Sequence, residues 1–324
     1  MRQRNNRFCN TMARIAMLAC ALVTGLAHAA DYPERPVELV VPWSAGGGTD
    51  SMARAFAEAA KKHLNQSMVV TNKPGATGSI GFTEVAKAAP DGYKVSVLTA
   101  EILIIPHVGI GKVTHEDFIP IARFNALPSA VTVRAEAPWN TVEEFLAQAK
   151  REPGSIKMGN SGVGSIWHLA AAALGEKTGT QFNHIPFQGG NPAVLALLGG
   201  HVDAVTVSTA EVLAYVTSKK LKTLAVMADK RVKGFDSVPT LKERNIDLSV
   251  GSWAGLGVPK GTPAKVVDTL KLASIKAMAE PVLIEAMDKL NLNAAYADDA
   301  VFKAQLNRDS DAFKILVEKL QLKN

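Results

Sequence analysis

Cysteine is almost absent from the sequence. Its 324 residues include only Cys9 and Cys20, and both precede residue 29. Disulfides, cysteine nucleophiles and cysteine-ligated metals are therefore excluded from the rest of the chain. The histidines show no HExxH or comparable spacing, so we predict no metal site. The glycine-rich segments match neither G-x-G-x-x-G nor the P-loop pattern, so we expect no cofactor.

Acidic residues are missing from the first 29 positions, which contain four arginines, at positions 2, 4, 7 and 14. An arginine-rich start, an apolar run over Ile15–Leu26 and small residues at Ala27 and Ala29 are typical of a secretory signal. The apolar run is shorter than the roughly 20 residues that a membrane-spanning helix needs. We therefore predict that residues 1–29 are a signal peptide cleaved after Ala29, and that the mature protein lies in the periplasm.

The rest of the chain has little net charge. The formal charge of +6 falls to +2 without the four arginines of the first 29 residues. No aromatic–basic module of a nucleic-acid-binding protein is present, and no later apolar run is long enough to span a membrane. Hydrophobic residues make up 47% and charged residues 20%, which is globular usage, and the length favours two domains.

Strand, loop and helix patterns alternate along the chain. The first series has strands at 37–42, 68–70 and 93–98 and helices at 51–64 and 80–89. In the second series, Thr141 precedes a helix to residue 150, and further helices are predicted to end at residue 176 and to begin near Pro192. This alternation predicts an α/β fold in which helices flank mostly parallel sheets.

Four of the strand-to-helix loops combine glycine with hydroxyl or amide side chains. They lie at residues 44–50, 77–79, 161–165 and 188–191. Glycine lets the backbone approach a ligand closely, and the free N–H groups of a helix N-terminus attract anions. Tight turns and helix caps are the simpler interpretation of any single loop. Four loops in two series favour recognition of a small anion such as a carboxylate.

Two acidic residues conflict with an anion site. The segments Leu98–Leu103 and Ser208–Leu213 resemble each other, and each places a glutamate, Glu101 or Glu211, at the start of a helix-like segment. Such a carboxylate can cap its own helix, as the spacing of Ser208 and Glu211 suggests. Alternatively, one of them faces the ligand and pairs with an ammonium or hydroxyl group. The spacing likewise leaves open whether the tryptophans at positions 43, 167 and 253 line a cleft or pack in a core.

An enzymatic interpretation competes with binding. The segment Gly159–Val163 is similar to a nucleophile elbow but has Val163 where the motif needs its last glycine. His168 lies three residues after Ser165, on the same face of a helix. A secreted α/β hydrolase would use Ser161 or Ser165 as nucleophile and His168 as base. The spacing provides no carboxylate to orient this histidine.

Several segments together resemble one protein family. They are VPWSAGGGTD at 41–50, NKPGATGSIG at 72–81, PDGY at 90–93, GS with HLA at 164–170, PFQG at 186–189, VPTL at 238–241 and SWAGL at 252–256. In this order, over about residues 33–270, they resemble the substrate-binding proteins of tripartite tricarboxylate transporters, the Bug receptors. The segment 101–118 is more apolar than the family pattern, which leaves the ligand's identity open.

The resemblance implies a two-lobed fold of the type II periplasmic-binding-protein kind, with the ligand in the cleft between the lobes. Lobe 1 is expected at residues 30–130 plus 253–324, and lobe 2 at 131–252. The family's function implies a non-catalytic monomer that binds a small tricarboxylate, dicarboxylate or related acid for a membrane permease. Asp50 is expected to orient its loop or a water molecule, or to cap the helix, rather than to touch the anion. The candidate ligand-binding residues are Trp43, Ser44, Gly46, Gly47, Thr49, Asp50, Thr77, Gly78, Glu101, Ser161, Gly162, Gly164, Ser165, His168, Gln188, Gly189 and Glu211.

Overall fold

The structure is a computed structural model that describes residues 32–322. The predicted signal peptide lies outside the described residues. Residues from Arg35 onward belong to one compact unit, and of the preceding unit only residues 32–34 are described.

Strands and helices alternate through the described residues. The strands β1 to β10 are Val37–Val41, Met68–Asn72, Lys94–Thr99, Phe118–Arg134, Lys157–Asn160, Asn183–Pro186, Ala204–Ser208, Leu221–Met227, Gly251–Pro259 and Ala294–Asp298. The helices α1 to α10 are Gly48–Leu64, Ser79–Ala86, Ile105–Val108, Val142–Arg151, Ile166–Thr178, Gly190–Leu198, Thr209–Thr217, Ala264–Met278, Pro281–Lys289 and Asp299–Lys319. Short 3-10 turns lie at Ala76–Gly78, Ala100–Leu103, His115–Asp117 and Lys242–Arg244.

The 17-residue strand β4 joins two sheets. Its first part, up to Pro128, pairs with β9 and β10, whereas its last part, from Ser129, pairs with β7 and β8. The first sheet continues from β9 through β3 and β1 to β2, and the second continues from β7 through β5 to β6. The two sheets therefore share one long strand, whose pairing partners change between Pro128 and Ser129.

Each sheet combines a parallel part with antiparallel strands. Strands β1, β2 and β3 are parallel, as are β5, β6 and β7. Strand β9 runs antiparallel to β3, and β4 runs antiparallel to β7. Ligands of such sheets bind beyond the carboxyl ends of the parallel strands, where helices begin. The loops that lead into α1 and α5 lie at these ends.

Aromatic side chains fill the cores. In the first lobe, the rings of Phe82 and Phe118 are 6.4 Å apart, and Trp253 packs edge-on against Phe302 with 5.0 Å between ring centroids. In the second lobe, Phe145 stacks on the ring of Phe182 at 5.7 Å. Buried apolar surface of this kind is the main source of stability in a chain of this size.

The predicted α/β, two-lobed fold is confirmed, and most predicted elements are found within a few residues. Thr141 caps α4 by accepting a hydrogen bond from the backbone N–H of Glu144 at 3.2 Å. The antiparallel strands that complete each sheet were not predicted, so the sheets are mixed. Among residues 32–322, no helix is both long enough and apolar enough to cross a membrane.

Candidate ligand-binding cleft

A small cleft, partly open to solvent, lies where the helix-starting loops of the two sheets meet. Four helices begin at its wall. Helices α1, α6 and α7 start with or next to lining residues, and α5 contributes its second residue, Trp167. Among residues 32–322, no lysine, arginine or histidine lines the wall. Eight of the predicted site residues line it: Trp43, Ser44, Gly47, Thr49, Glu101, Ser161, Gly189 and Glu211.

Asp50 holds the loop between β1 and α1 in shape. Its Oδ2 accepts a hydrogen bond from the backbone N–H of Gly46 at 2.9 Å, and its Oδ1 accepts one from Asn72 Nδ2 at 2.9 Å. Arg54, one helical turn further on, pairs with Oδ1 at 2.9 Å. Burial alone would raise the pKa of Asp50, but the hydrogen bonds from Arg54, Gly46 and Asn72 hold it below its ordinary value. The carboxylate therefore stays charged and buried outside the cleft wall.

Two hydroxyl groups of the first lobe donate hydrogen bonds to backbone carbonyls of the second. Ser44 Oγ donates to the carbonyl of Gln188 at 2.7 Å, and Thr77 Oγ1 donates to that of Val163 at 2.6 Å. Loops from both sheets are therefore in direct contact at the rim of the cleft.

Glu101 lies in the 3-10 turn after β3 and is 2% exposed. Its carboxylate accepts hydrogen bonds from Thr99 Oγ1 at 2.5 Å and, across the cleft, from the backbone N–H of Ile166 at 3.2 Å. Ile166 is the first residue of α5, so Glu101 caps a helix of the opposite lobe. Burial raises the pKa of the Glu101 carboxyl, and these hydrogen bonds act against that rise.

Glu211 occupies the equivalent position in the second lobe. It forms a capping box with Ser208, whose backbone N–H and Oγ lie 3.1 Å and 2.9 Å from Oε2. It also accepts a hydrogen bond from the backbone N–H of Gly48, the first residue of α1 in the opposite lobe. Burial raises the pKa of the Glu211 carboxyl, whereas the Ser208 and Gly48 donors lower it. Glu211 thus both caps its own helix and faces the cleft.

Two buried polar groups of the wall have no protein partner. They are the Ser161 hydroxyl and the indole N–H of Trp253, in residues that are 3% and 5% exposed. An unpaired buried donor costs about 1–3 kcal/mol, and an indole nitrogen can only donate. Both groups are therefore available to the acceptor atoms of a ligand.

The serines and His168 are not arranged as a catalytic pair. Ser165 Oγ accepts a hydrogen bond from the backbone N–H of His168 at 3.1 Å and so caps α5. His168 Nδ1 accepts the backbone N–H of Gly164 at 3.0 Å, and its ring packs against His184. Burial, with a smaller contribution from His184, lowers the pKa of His168 to about 4. Neither Ser161 nor Ser165 is hydrogen-bonded to the imidazole.

The structure places nine predicted site residues outside the wall. Gly46 and Asp50 shape the first loop, and the Gln188 carbonyl and the Thr77 hydroxyl form the contacts between lobes. A Cβ on Gly164 would come 2.9 Å from Val108, so this glycine permits close packing between segments. The nine residues are Gly46, Asp50, Thr77, Gly78, Gly162, Gly164, Ser165, His168 and Gln188.

Ten wall residues were absent from the candidate site. Trp167 and Trp253 were left open between cleft and core, and the structure brings both to the wall with Trp43. Ser208 could have been predicted as a site residue, since it precedes Glu211 in the capping pattern. The ten are Gly48, Leu127, Trp167, Gly190, Asn191, Pro192, Ser208, Ser252, Trp253 and Ala254.

Known proteins resemble the chain over most of its length. The protein BugT of Bordetella pertussis is 32% identical over 276 residues, which are 83% of this chain and 84% of BugT. A TctC solute binding protein from Polaromonas, crystallised with no ligand, is 56% identical over 89% of this chain and 99% of its own, with a TM-score of 0.68. MatC from Rhodopseudomonas palustris with bound malate is 26% identical over 88% of this chain and 100% of its own, with a TM-score of 0.82.

The similarity in shape does not follow the similarity in sequence. The ligand-free Polaromonas protein shares more residues with this chain than malate-bound MatC does, yet its TM-score is lower. A sequence model for the tripartite tricarboxylate transporter family receptor matches residues 52–322. The chain belongs to this family of extracytoplasmic solute-binding receptors.

Proposed function

We propose that the protein is a non-catalytic receptor that binds a small organic carboxylate between its lobes. It would present this acid to the permease subunits of a tripartite tricarboxylate-type transporter. The single observation that carries the proposal is the cleft wall, where four helix N-termini meet beside the unpaired donors of Ser161 and Trp253. Such groups complement the oxygens of an acid. The malate in MatC, a relative of similar shape, supports the same class of ligand.

Hinge closure would couple binding to recognition by the permease. A ligand that touches both lobes stabilises only the closed state. The greater likeness to malate-bound MatC than to the ligand-free Polaromonas protein supports a closed conformation here. We place the lobe boundaries near residues 130 and 252, because β4 changes partners at Pro128 and β9 begins at Gly251. Export to the periplasm, cleavage after Ala29 and a monomeric state complete the proposal.

A thermal-shift screen of the mature chain tests this function. The panel contains di- and tricarboxylates, amino acids and aromatic acids, with the corresponding amides as matched neutral controls. A bound acid raises the melting temperature by mass action. At a hundredfold excess over Kd, the ligand adds about 2.7 kcal/mol to the free energy of unfolding. We expect at least one acid, and not its amide, to do so, and calorimetry should give a single site. If no acid stabilises the protein, the proposal is wrong.

A further inference from the structure

We propose that the ligand carries a protonated amine as well as a carboxylate, so that it is an amino acid or a related zwitterion. Glu101 and Glu211 would bind the amine. This inference rests on the proposed function, since it specifies the acid that the cleft accepts. Three observations carry the inference. They are the net charge of the cleft wall, the capping of helix N-termini by Glu101 and Glu211, and the unpaired donors of Ser161 and Trp253.

The charges of the wall are already close to balance. Each of the four helix N-termini contributes about half a positive charge, or roughly +2 in total. The two glutamates contribute up to −2, and none of the described wall residues has a basic side chain to offset them. None of the ion pairs in the described part of the chain involves either glutamate. A dicarboxylate would therefore meet no net positive charge when both glutamates are ionised, whereas an ammonium group would favour that ionised state against the rise in pKa that burial causes.

The glutamates occupy the positions that a second ligand carboxylate would need. Glu101 from the first lobe accepts the N–H of Ile166 at the start of α5, and Glu211 from the second accepts the N–H of Gly48 at the start of α1. The two contacts are reciprocal across the cleft, and they explain the repeated segments around both residues. Two of the four anion-attracting helix starts are thus neutralised by the protein itself.

The remaining donors suit one carboxylate. Ser161 and Trp253 are nine-tenths buried, lie at the wall and lack a partner, and Trp253 requires an acceptor. Helix α6, whose N-terminal residues Gly190 and Asn191 line the cleft, has no side-chain cap. These groups can hold the oxygens of a single carboxylate.

The glutamates retain acceptor capacity for an amine. An ionised carboxylate offers about four acceptor positions. Glu101 uses three of them, for Thr99 Oγ1 and for the backbone N–H groups of Ile166 and of Glu101 itself. Glu211 also uses three, two for Ser208 and one for Gly48. The indoles of the three wall tryptophans add surfaces that attract a cation.

Matched pairs of ligands test the inference by calorimetry. The probes are succinate with 4-aminobutyrate, glutarate with 5-aminopentanoate, and adipate with 6-aminohexanoate. In each pair, an aminomethyl group replaces one carboxylate. We expect the amine-bearing member of at least one pair to bind at least tenfold more tightly. If the diacids bind more tightly in every pair, the inference is wrong and the proposed function stands. If no probe binds although another acid of the thermal-shift panel does, the inference is wrong and the proposed function stands; if no acid of either set binds, both are wrong.

Variants assign the effect to the two glutamates. Glu101→Gln and Glu211→Gln keep the size of the side chain and one acceptor oxygen, so each cap keeps part of its hydrogen bonds. We expect each to weaken binding of the best amine-bearing probe at least tenfold, while affinity for its diacid partner stays equal or rises. Glu116→Gln, at an exposed carboxylate away from the cleft, is the matched control and should leave both affinities unchanged. Equal losses for amine and diacid would overturn the assignment, and thermal melts verify folding.

Discussion

Asp50 is a buried charge whose partners are all supplied by its own lobe. It organises the first glycine loop through Gly46, Arg54 and Asn72, so Asp50→Ala leaves buried donors unpaired. Hydrogen bonds to charged groups contribute about 1.5–3 kcal/mol each in net terms. We expect a loss of about 2–3 kcal/mol in the free energy of unfolding, measured by urea denaturation. Arg54→Ala, at a half-exposed side chain, should cost under about 1 kcal/mol. If Asp50→Ala leaves the free energy of unfolding nearly unchanged, contacts other than those of Asp50 hold the loop in shape.

His168 links stability to pH. Its buried ring stays neutral down to about pH 4, whereas a histidine in the unfolded chain takes up a proton near pH 6.5. The unfolded state therefore binds more protons in this window, and stability falls as the pH falls from 6.5 to 4, by up to about 3 kcal/mol. His168→Asn keeps an acceptor for the Gly164 N–H but does not titrate. We expect urea denaturation to give this variant a flatter pH profile than the parent.

The control for this titration is the exposed His201. His201→Gln should keep the parental slope between pH 6.5 and 4, because it removes a side chain that solvent already reaches. Identical slopes for the parent and His168→Asn would contradict the role of His168. Other titrating groups, among them His184, whose pKa burial also lowers, would then account for the slope.

At the scale of helices, Gly190 makes room for the Glu211 carboxylate. A Cβ on Gly190 would overlap Glu211 Oε1, whereas a Cβ on Gly48, on the other side of the same carboxylate, would have no contact closer than 3.7 Å. Both glycines are the first residues of helices, where alanine is tolerated. We expect Gly190→Ala to displace Glu211 and change ligand affinity at least tenfold by calorimetry. Gly48→Ala should have a clearly smaller effect, and equal effects would contradict this steric argument.

Elements defined by local pattern were predictable, and elements defined by distant partners were not. The loop from Ser44 to Asp50 and the capped helix after Thr141 follow from neighbouring residues. The first part of β4 was missed, because Pro120 and Pro128 interrupt its strand pattern and its order depends on pairing with β9 and β10. Leu127 and Trp253 reach the cleft through these crossing strands, so no glycine loop signalled them.

At the scale of the molecule, the role of the repeated segments Leu98–Leu103 and Ser208–Leu213 depends on contacts between the two lobes. Each of Glu101 and Glu211 could be predicted as a helix cap from its spacing. That each also caps a helix of the opposite lobe depends on how the sheets are placed, which sequence spacing does not encode. Likewise, Ser44 and Thr77 were predicted as ligand-binding residues from their loops, whereas the hydrogen bonds that their hydroxyls form between the lobes depend on how the sheets are placed.

Closure itself can be weakened without altering the glutamates. Ser44→Ala with Thr77→Val removes two hydrogen bonds between the lobes, each contributing about 0.5–1.5 kcal/mol. The closed fraction falls, and because affinity scales with the fraction of competent protein, ligand binding should weaken about tenfold. Small-angle scattering of the ligand-free protein should show a larger radius of gyration. Ser155→Ala with Thr269→Val is the matched control, since these hydroxyls bond within their own segments. If the radius and the affinity of the first double variant match those of the control, these hydroxyls do not hold the lobes together.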